Sequence, residues 1–179
     1  IDGVYDYAVT DRYIYVLPVK EPRIVLFDRQ GRFIRTLVKE GQGPGEFRGI
    51  LPCIQVDERN DRLFLFSNNR VWEYTLEGEF IGQSTHEYSV IYMRHIGKDR
   101  FAAISFPFQP FNGGGFGLGL FSRKGDTIAI KNDFYSFLLP HEKSGFTTSI
   151  APAYSDAQNS VLFKTGSNDT VFCISADRI

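Results

Sequence analysis

The sequence contains few cysteines, only one methionine and one tryptophan, and no excess of charge of either sign. Its 179 residues include two cysteines, Cys53 and Cys173. Two cysteines so far apart are too few for a disulfide framework and lack the short spacing of a metal site. Because both have apolar neighbours, we expect them to be buried thiols.

Long apolar segments are also missing, and this excludes a membrane-spanning helix in this chain. Residues 1–20 lack the basic start and apolar run of a signal peptide, so none is expected in this chain. The 20 Lys and Arg residues balance 21 Asp and Glu residues and are spread along the sequence. Such a distribution is typical of a solvated surface, and nucleic acid is therefore not an expected partner.

Aromatic residues are abundant, with 17 Phe and 9 Tyr, and 17 Gly and 8 Pro interrupt the sequence. Phenylalanine, tyrosine and β-branched residues favour strands, while glycine and proline favour turns. No segment has a helical period. The composition therefore predicts an all-β fold.

A hairpin pattern recurs at a fixed interval along the chain. Each copy is a strand, a tight turn closed by glycine and a second strand, and the turn glycines Gly31, Gly78 and Gly125 are each 47 residues apart. A fourth, degraded copy covers Asp169–Asp177. Equal spacing on this scale indicates a structural repeat.

A second hairpin precedes each copy. The predicted pairs are Tyr7–Thr10 with Tyr13–Leu17, Ile54–Asp57 with Leu63–Phe66, Tyr92–Ile96 with Phe101–Ser105, and Ala151–Ser155 with Val161–Lys164. Four antiparallel strands per repeat are typical of a β-propeller blade, because one such sheet buries both faces only when neighbours stack on it. The sequence predicts one partial propeller domain over residues 1–179, with blades at about 4–37, 53–83, 89–131 and 149–179. The first three blades are complete, and the fourth has three strands.

One repeat resembles a known family. The elements of this repeat follow the order Gly-x-Gly-x-Gly-x-Phe, Pro, Val-Asp, a strand, Asn-x-Arg-Val and Gly-x-Phe. The residues that carry this order are Gly41–Phe47, Pro52, Ile54–Asp57, Leu63–Phe66, Asn69–Val71 and Leu76–Phe80. The order is similar to that of an NHL repeat. The likeness covers residues 41–83 well, 4–37 reasonably and the last two repeats in outline. The glycine-rich run Gly41–Phe47 occurs once and is also similar to six-bladed propeller proteins of unknown function from Bacteroidetes.

This resemblance implies that the chain is part of a six-bladed ring in an exported bacterial protein, located in the periplasm, at the cell surface or outside the cell. Two alternatives are a ring of four blades and an arc completed by a second copy. An arc has open blade faces, so self-association is a further expectation.

Propeller geometry predicts where a ligand would bind. The turns on one side are short, whereas the connections on the other side are elaborated at Val38–Cys53, Phe106–Phe116 and Asn132–Ser149. Because function concentrates in loops held by a rigid scaffold, the elaborated side is the predicted binding face. The candidate ligand-binding residues there are Arg48, Asn68, Phe108, Phe111 and Phe116.

Each candidate also has a structural interpretation. The phenylalanines form either an aromatic platform for a sugar, peptide or protein, or a cap that closes the core of a blade. Arg48 is either a ligand contact or a solvated loop charge, and Asn68 either contacts a ligand or serves its turn.

The predicted function is non-catalytic: binding or scaffolding of a carbohydrate, peptide or protein, with no cofactor, metal or catalytic residue. The alternative, implied by enzymes among NHL-like and other propellers, is a metal-assisted lyase or hydrolase with its site in the central channel. His86, His95 and His141 lack metal-type spacing. Arg94 or His95 is expected to face that channel, but not both, because side chains alternate along a strand.

Overall fold

Antiparallel strands make up nearly all of the part of the chain that is described. The computed structural model describes residues 3–48, 53–88, 90, 92–104, 117–131, 150–155, 159–165 and 171–179. Within these ranges there are fifteen strands and a single 3-10 turn, Glu58–Asn60. None of the described residues belongs to a helix with the length and hydropathy needed to cross a membrane. The all-β prediction is confirmed.

Two four-stranded sheets occupy the first half of the chain, and each follows the order of the sequence. The first sheet contains β1 (Val4–Val9), β2 (Tyr13–Pro18), β3 (Arg23–Asp28) and β4 (Phe33–Lys39). The second sheet contains β5 (Cys53–Asp57), β6 (Arg62–Ser67), β7 (Arg70–Tyr74) and β8 (Phe80–Thr85).

The second half contains a four-stranded and a three-stranded sheet, again in sequence order. The third sheet contains β9 (Tyr92–His95), β10 (Arg100–Ile104), β11 (Leu118–Ser122) and β12 (Thr127–Lys131). The fourth sheet contains β13 (Ile150–Ser155), β14 (Ser160–Thr165) and β15 (Val171–Ser175). The strands and their pairing in sheets follow the predicted repeats, while the arrangement of the sheets as blades of one propeller stays a prediction.

The chain divides into two compact units, Ile1–Thr85 and His86–Ile179. In the first unit, alternate residues of the two sheets face each other and form one apolar core. Its buried members are Tyr15, Leu17, Ile24, Leu26, Val38, Phe47, Ile54, Leu63, Leu65, Trp72 and Tyr74. The N–H of Ile54 also donates to the Asp6 carboxylate at 2.8 Å, which joins the first strands of the two sheets.

The second unit has its own core between the third and fourth sheets. The buried members are Ile96, Ala102, Ile104, Leu118, Leu120, Val161, Phe163, Ile174 and Ala176. An ion pair between Lys98 Nζ and Asp177 Oδ2, at 2.8 Å, links turns of the two sheets. Each unit therefore buries apolar surface between its two sheets.

The predicted burial of both cysteines is wrong. Cys173 is exposed and Cys53 is half-buried. On β15, Phe172 and Ile174 pack with the core of the second unit, and the alternation of side chains puts Cys173 on the opposite face. Apolar neighbours in sequence therefore indicated a strand but not the side of the strand on which the thiol lies.

The three hairpin turns of the repeat have the same hydrogen bonds. The N–H groups of Gly31, Gly78 and Gly125 donate to the carbonyls of Asp28, Thr75 and Ser122 at 3.0, 2.9 and 3.0 Å. The side-chain oxygens of those three residues in turn accept the N–H of the residue four positions later. All three glycines have positive φ, as a tight turn closed by glycine requires.

Two of these glycines allow a paired test of the turn. Gly31 has φ +79°, and a Cβ there would meet open space, so Gly31→Ala should destabilise by about 1–2 kcal/mol through φ alone. Gly78 has φ +88°, and a Cβ there would lie 3.1 Å from the carbonyl oxygen of Leu37. Gly78→Ala should therefore cost more than Gly31→Ala in urea unfolding; equal costs would contradict the steric contribution of Leu37.

Candidate functional site

A glycine-rich loop, Gly41–Glu46, follows β4 and is tied back to it by backbone hydrogen bonds. The N–H of Gly41 donates to the Phe47 carbonyl at 3.1 Å, and the N–H of Phe47 donates to the carbonyl of Lys39 at 3.4 Å. Phe47 itself is fully buried in the core of the first unit, with its ring edge-on to Trp72 at 6.4 Å between centroids. The buried ring therefore anchors the loop to the second sheet.

The Glu46 carboxylate stabilises the loop by a hydrogen bond from the loop's own backbone. It accepts the N–H of Gly43 at 2.9 Å and lies 3.7 Å from Lys39 Nζ. The hydrogen bond from the Gly43 N–H, followed by the charge of Lys39, holds the pKa of Glu46 below its usual value. A Cβ on Gly41 would overlap the Glu46 carboxylate, so a larger residue there requires the Glu46 side chain to move.

The second sheet presents four side chains to this loop from one face. Arg70 and Trp72 are two residues apart on β7 and therefore project to the same side. The pairing of β7 with β8 puts Gln83 opposite Trp72, and Phe80 opposite Tyr74. Arg70, Trp72, Phe80 and Gln83 thus lie on the face that the loop covers.

The loop and this face border an open cleft of about 610 Å³. It is lined by Gly41, Gln42, Gly43, Pro44, Gly45, Glu46, Arg48, Arg70, Trp72, Phe80 and Gln83. Gly45 brings the loop backbone against Phe80, since a Cβ on Gly45, which has φ +76°, would lie 2.8 Å from the Phe80 Cβ. The volume is within the range of about 300–1,000 Å³ typical of small-molecule sites.

Two guanidinium groups dominate the charge of the cleft. Arg48 and Arg70 are both exposed, and neither forms an ion pair with another residue in the described ranges. The carboxylate of Glu46 is already occupied by its own loop and by Lys39. Phe80 adds a ring that is 43% exposed, while Trp72 is only 2% exposed. The cleft therefore combines exposed positive charge with an accessible aromatic surface.

The predicted site residues have different positions. Arg48 lines the cleft. Asn68 lies in the turn between β6 and β7 with φ +52°, the conformation for which asparagine is favoured, and does not line the cleft. Phe108, Phe111 and Phe116 are outside the described residues. The binding role of all five stays a prediction.

Four lining residues of the second sheet are absent from the candidates predicted from sequence: Arg70, Trp72, Phe80 and Gln83. The repeat itself contained the signal for them. Pairing the strands on either side of Gly78 puts Phe80 and Gln83 on the same face as Trp72. What the sequence did not show is that the loop before β5 lies over this face.

The histidines give no metal cluster in the described part of the chain. Arg94 and His95 project to opposite faces of β9, as expected for neighbours on a strand. The Arg94 guanidinium lies 4.8 Å from the centre of the Tyr92 ring, and His95 packs edge-on to Phe101. His141 is outside the described residues.

Comparison with known proteins identifies a family and several solved structures of similar fold. The family described as "Domain of unknown function (DUF4934)" matches residues 1–179, and no curated protein matches the sequence. One similar solved structure is that of a protein from Bacteroides fragilis NCTC 9343 whose name describes it as exported. It is 18% identical, and the TM-score is 0.76 over 100% of this chain and 49% of that chain. A member of the DUF4221 family from Bacteroides vulgatus ATCC 8482 is 10% identical, with a TM-score of 0.67 over 99% of this chain and 57% of that chain.

A third similar structure, the computationally designed Ika8 protein, is 11% identical, with a TM-score of 0.51 over 95% of this chain and 45% of that chain. At these identities the likeness shows a shared fold and carries no function. This chain spans about half the length of the two Bacteroides structures. The likeness to NHL repeats in particular stays a prediction from the sequence.

Proposed function

We propose from its geometry that this chain, which belongs to the DUF4934 family over residues 1–179, is a non-catalytic binding protein. Its site is the cleft between the loop Gly41–Glu46 and the second sheet. The observation that carries this proposal is the combination of an open cleft, exposed guanidinium groups and an exposed aromatic ring in one place. Such convergence of apolar surface with a few polar groups is typical of ligand sites.

The chemistry of the lining groups favours binding over catalysis. Arginine stays protonated at all physiological pH values, so Arg48 and Arg70 donate hydrogen bonds but do not transfer protons. The amide of Gln83 likewise donates and accepts hydrogen bonds without titrating. Glu46 is held by its own loop in the ionised form. These groups are suited to holding a polar ligand in place.

The arrangement of the sheets in a propeller and the location of the protein are part of the same proposal. We propose that this chain forms part of a β-propeller. Three features support it: the strands of each sheet follow the sequence order, the turn repeats every 47 residues, and the apolar cores lie between consecutive sheets. The similar Bacteroides fragilis protein, with its predicted export, supports a location in the periplasm, at the cell surface or outside the cell. In this arrangement the cleft lies on the elaborated side of the propeller.

Trp72 offers a direct test, because it is the only tryptophan in the chain and it lines the cleft. A ligand that enters the cleft should change the fluorescence of Trp72, so a library of saccharides and peptides can be screened by titration. Phe80→Ala removes one wall of the cleft and should weaken any such ligand by about tenfold or more, since aromatic contacts dominate small-molecule sites.

Phe33→Ala is the matched control for that variant. Phe33 is 47 residues before Phe80 at the same position of the repeat, is 61% exposed and lies outside the cleft. It should leave both ligand affinity and Trp72 fluorescence unchanged. If Phe33→Ala and Phe80→Ala weaken the same ligand equally, or if no compound of the library perturbs Trp72, the proposed site is wrong.

A further inference from the structure

We infer that the cleft binds an acidic saccharide, a compact ligand of sugar rings that carry carboxylates. This inference rests on the proposed function, since it names the ligand class of the same cleft. It is drawn from three properties of the lining residues: their charge, their shape and the direction in which they project from the sheet.

Charge selects an anion. Arg48 and Arg70 enter one cleft from separate parts of the chain, and in the described ranges neither has an acidic partner. The one carboxylate of the lining, Glu46, is compensated by the N–H of Gly43 and by Lys39. The planar guanidinium group donates two parallel hydrogen bonds to a carboxylate, and this geometry is the strongest recognition that arginine offers.

Shape selects rings. Phe80 presents an exposed aromatic surface beside a loop that consists largely of glycine backbone. The C–H face of a pyranose ring packs on such a surface, while its hydroxyl groups require nearby donors and acceptors. Gln83, which projects beside Trp72, supplies both from one amide.

The direction of the side chains disfavours an extended peptide. A peptide that binds to a sheet adds as a strand along an open edge and is held by backbone hydrogen bonds. Arg70, Trp72 and Gln83 instead project from the face of the second sheet, and the loop lines the cleft beside them. The ligand therefore contacts side chains over the face of the sheet.

The test compares a galacturonic acid trisaccharide with a galactose trisaccharide of the same linkage, by Trp72 fluorescence and by calorimetry. We expect the acidic trisaccharide to bind at least tenfold more tightly than the neutral one and to weaken as salt is added. The double variant Arg48→Gln and Arg70→Gln should lose about tenfold or more in affinity for the acidic sugar, because it removes charge-assisted hydrogen bonds.

The matched control is Arg29→Gln with Lys124→Gln, which removes the same charge from two exposed turn residues outside the cleft. It should bind as the unchanged protein does, and far-ultraviolet circular dichroism should show that both double variants are folded. Equal affinity for the two trisaccharides, or no loss in the Arg48 and Arg70 variant, overturns the inference and leaves the proposed function standing. Binding of an acidic peptide but of neither trisaccharide overturns it in the same way.

The proposed function has a separate criterion for failure. If a library ligand perturbs Trp72 and loses affinity in Phe80→Ala, the cleft is a binding site whatever the trisaccharides do. If neither class of ligand perturbs Trp72, both the inference and the proposed function are overturned.

Discussion

Lowering the pH from about 6.5 to about 4 should destabilise the second unit by up to about 3 kcal/mol through His86. This side chain is 1% exposed and packs edge-on between Phe101 and Phe121, at 6.1 and 5.2 Å between ring centroids. Burial lowers the pKa of His86 from 6.5 to about 4. The folded state therefore keeps a neutral imidazole at a pH where the unfolded chain binds a proton.

The direction in which stability changes with pH follows from the number of protons bound by the folded and the unfolded state. Above pH 6.5 both states are neutral at His86, and stability does not depend on this group. Between 6.5 and 4 only the unfolded state is protonated, so stability falls as the pH falls. Below about 4 the folded state is protonated as well, and the contribution of His86 to the slope ends.

Urea unfolding followed by circular dichroism, at pH values from about 4 to about 7.5, measures this slope. His86→Phe is the matched variant, because a third aromatic ring fits between Phe101 and Phe121 and carries no proton. It should unfold with a much smaller dependence on pH in this range. If the variant has the same slope as the unchanged protein, other groups cause the acid sensitivity and the assignment to His86 is wrong.

Phe47→Ala should destabilise the first unit by about 3–5 kcal/mol, the usual cost of truncating a buried phenylalanine. The ring is fully buried and packs against Trp72, and it is the only side chain of Gly41–Phe47 in the core. Because this ring anchors the loop, the variant should also lose the cleft. Ligand affinity should therefore fall together with the free energy of unfolding.

Urea unfolding followed by Trp72 fluorescence measures the first effect, and titration under folding conditions measures the second. Phe33→Ala, which truncates a 61% exposed ring, should cost less than about 1 kcal/mol. Phe47→Leu keeps most of the buried volume and should fall between the two. A loss below about 1 kcal/mol in Phe47→Ala would show that the loop does not depend on this anchor.

The strands and turns could be predicted because they depend on neighbours in sequence. The pairing of Ile54–Asp57 with Leu63–Phe66 was predicted to within one residue at each end of β5 and β6. The glycine turns were placed at Gly31 and Gly78 because positive φ is a local requirement. Alternation along a strand also separated Arg94 from His95, although it did not identify which face was buried.

The cleft was predicted only in part. Arg48 was a candidate because it lies in an elaborated connection, and it does line the cleft. Phe80 was not a candidate, because its place in the cleft depends on contact with Gly45, which lies 35 residues earlier in the chain. The exposure of Cys173 was missed for the same reason, since burial depends on which face of β15 meets the neighbouring sheet.

The all-β class, the repeat and the strands of each sheet follow from short-range interactions, because hydrogen-bonded hairpins and positive φ angles depend on residues close together in the chain. The position of the loop Gly41–Glu46 over Trp72 and Phe80 depends instead on tertiary packing. That contact follows from burial of Phe47 between two sheets, and the free energy of burial depends on partners that are distant in sequence. The glycines permit the close approach, but the packed core brings it about.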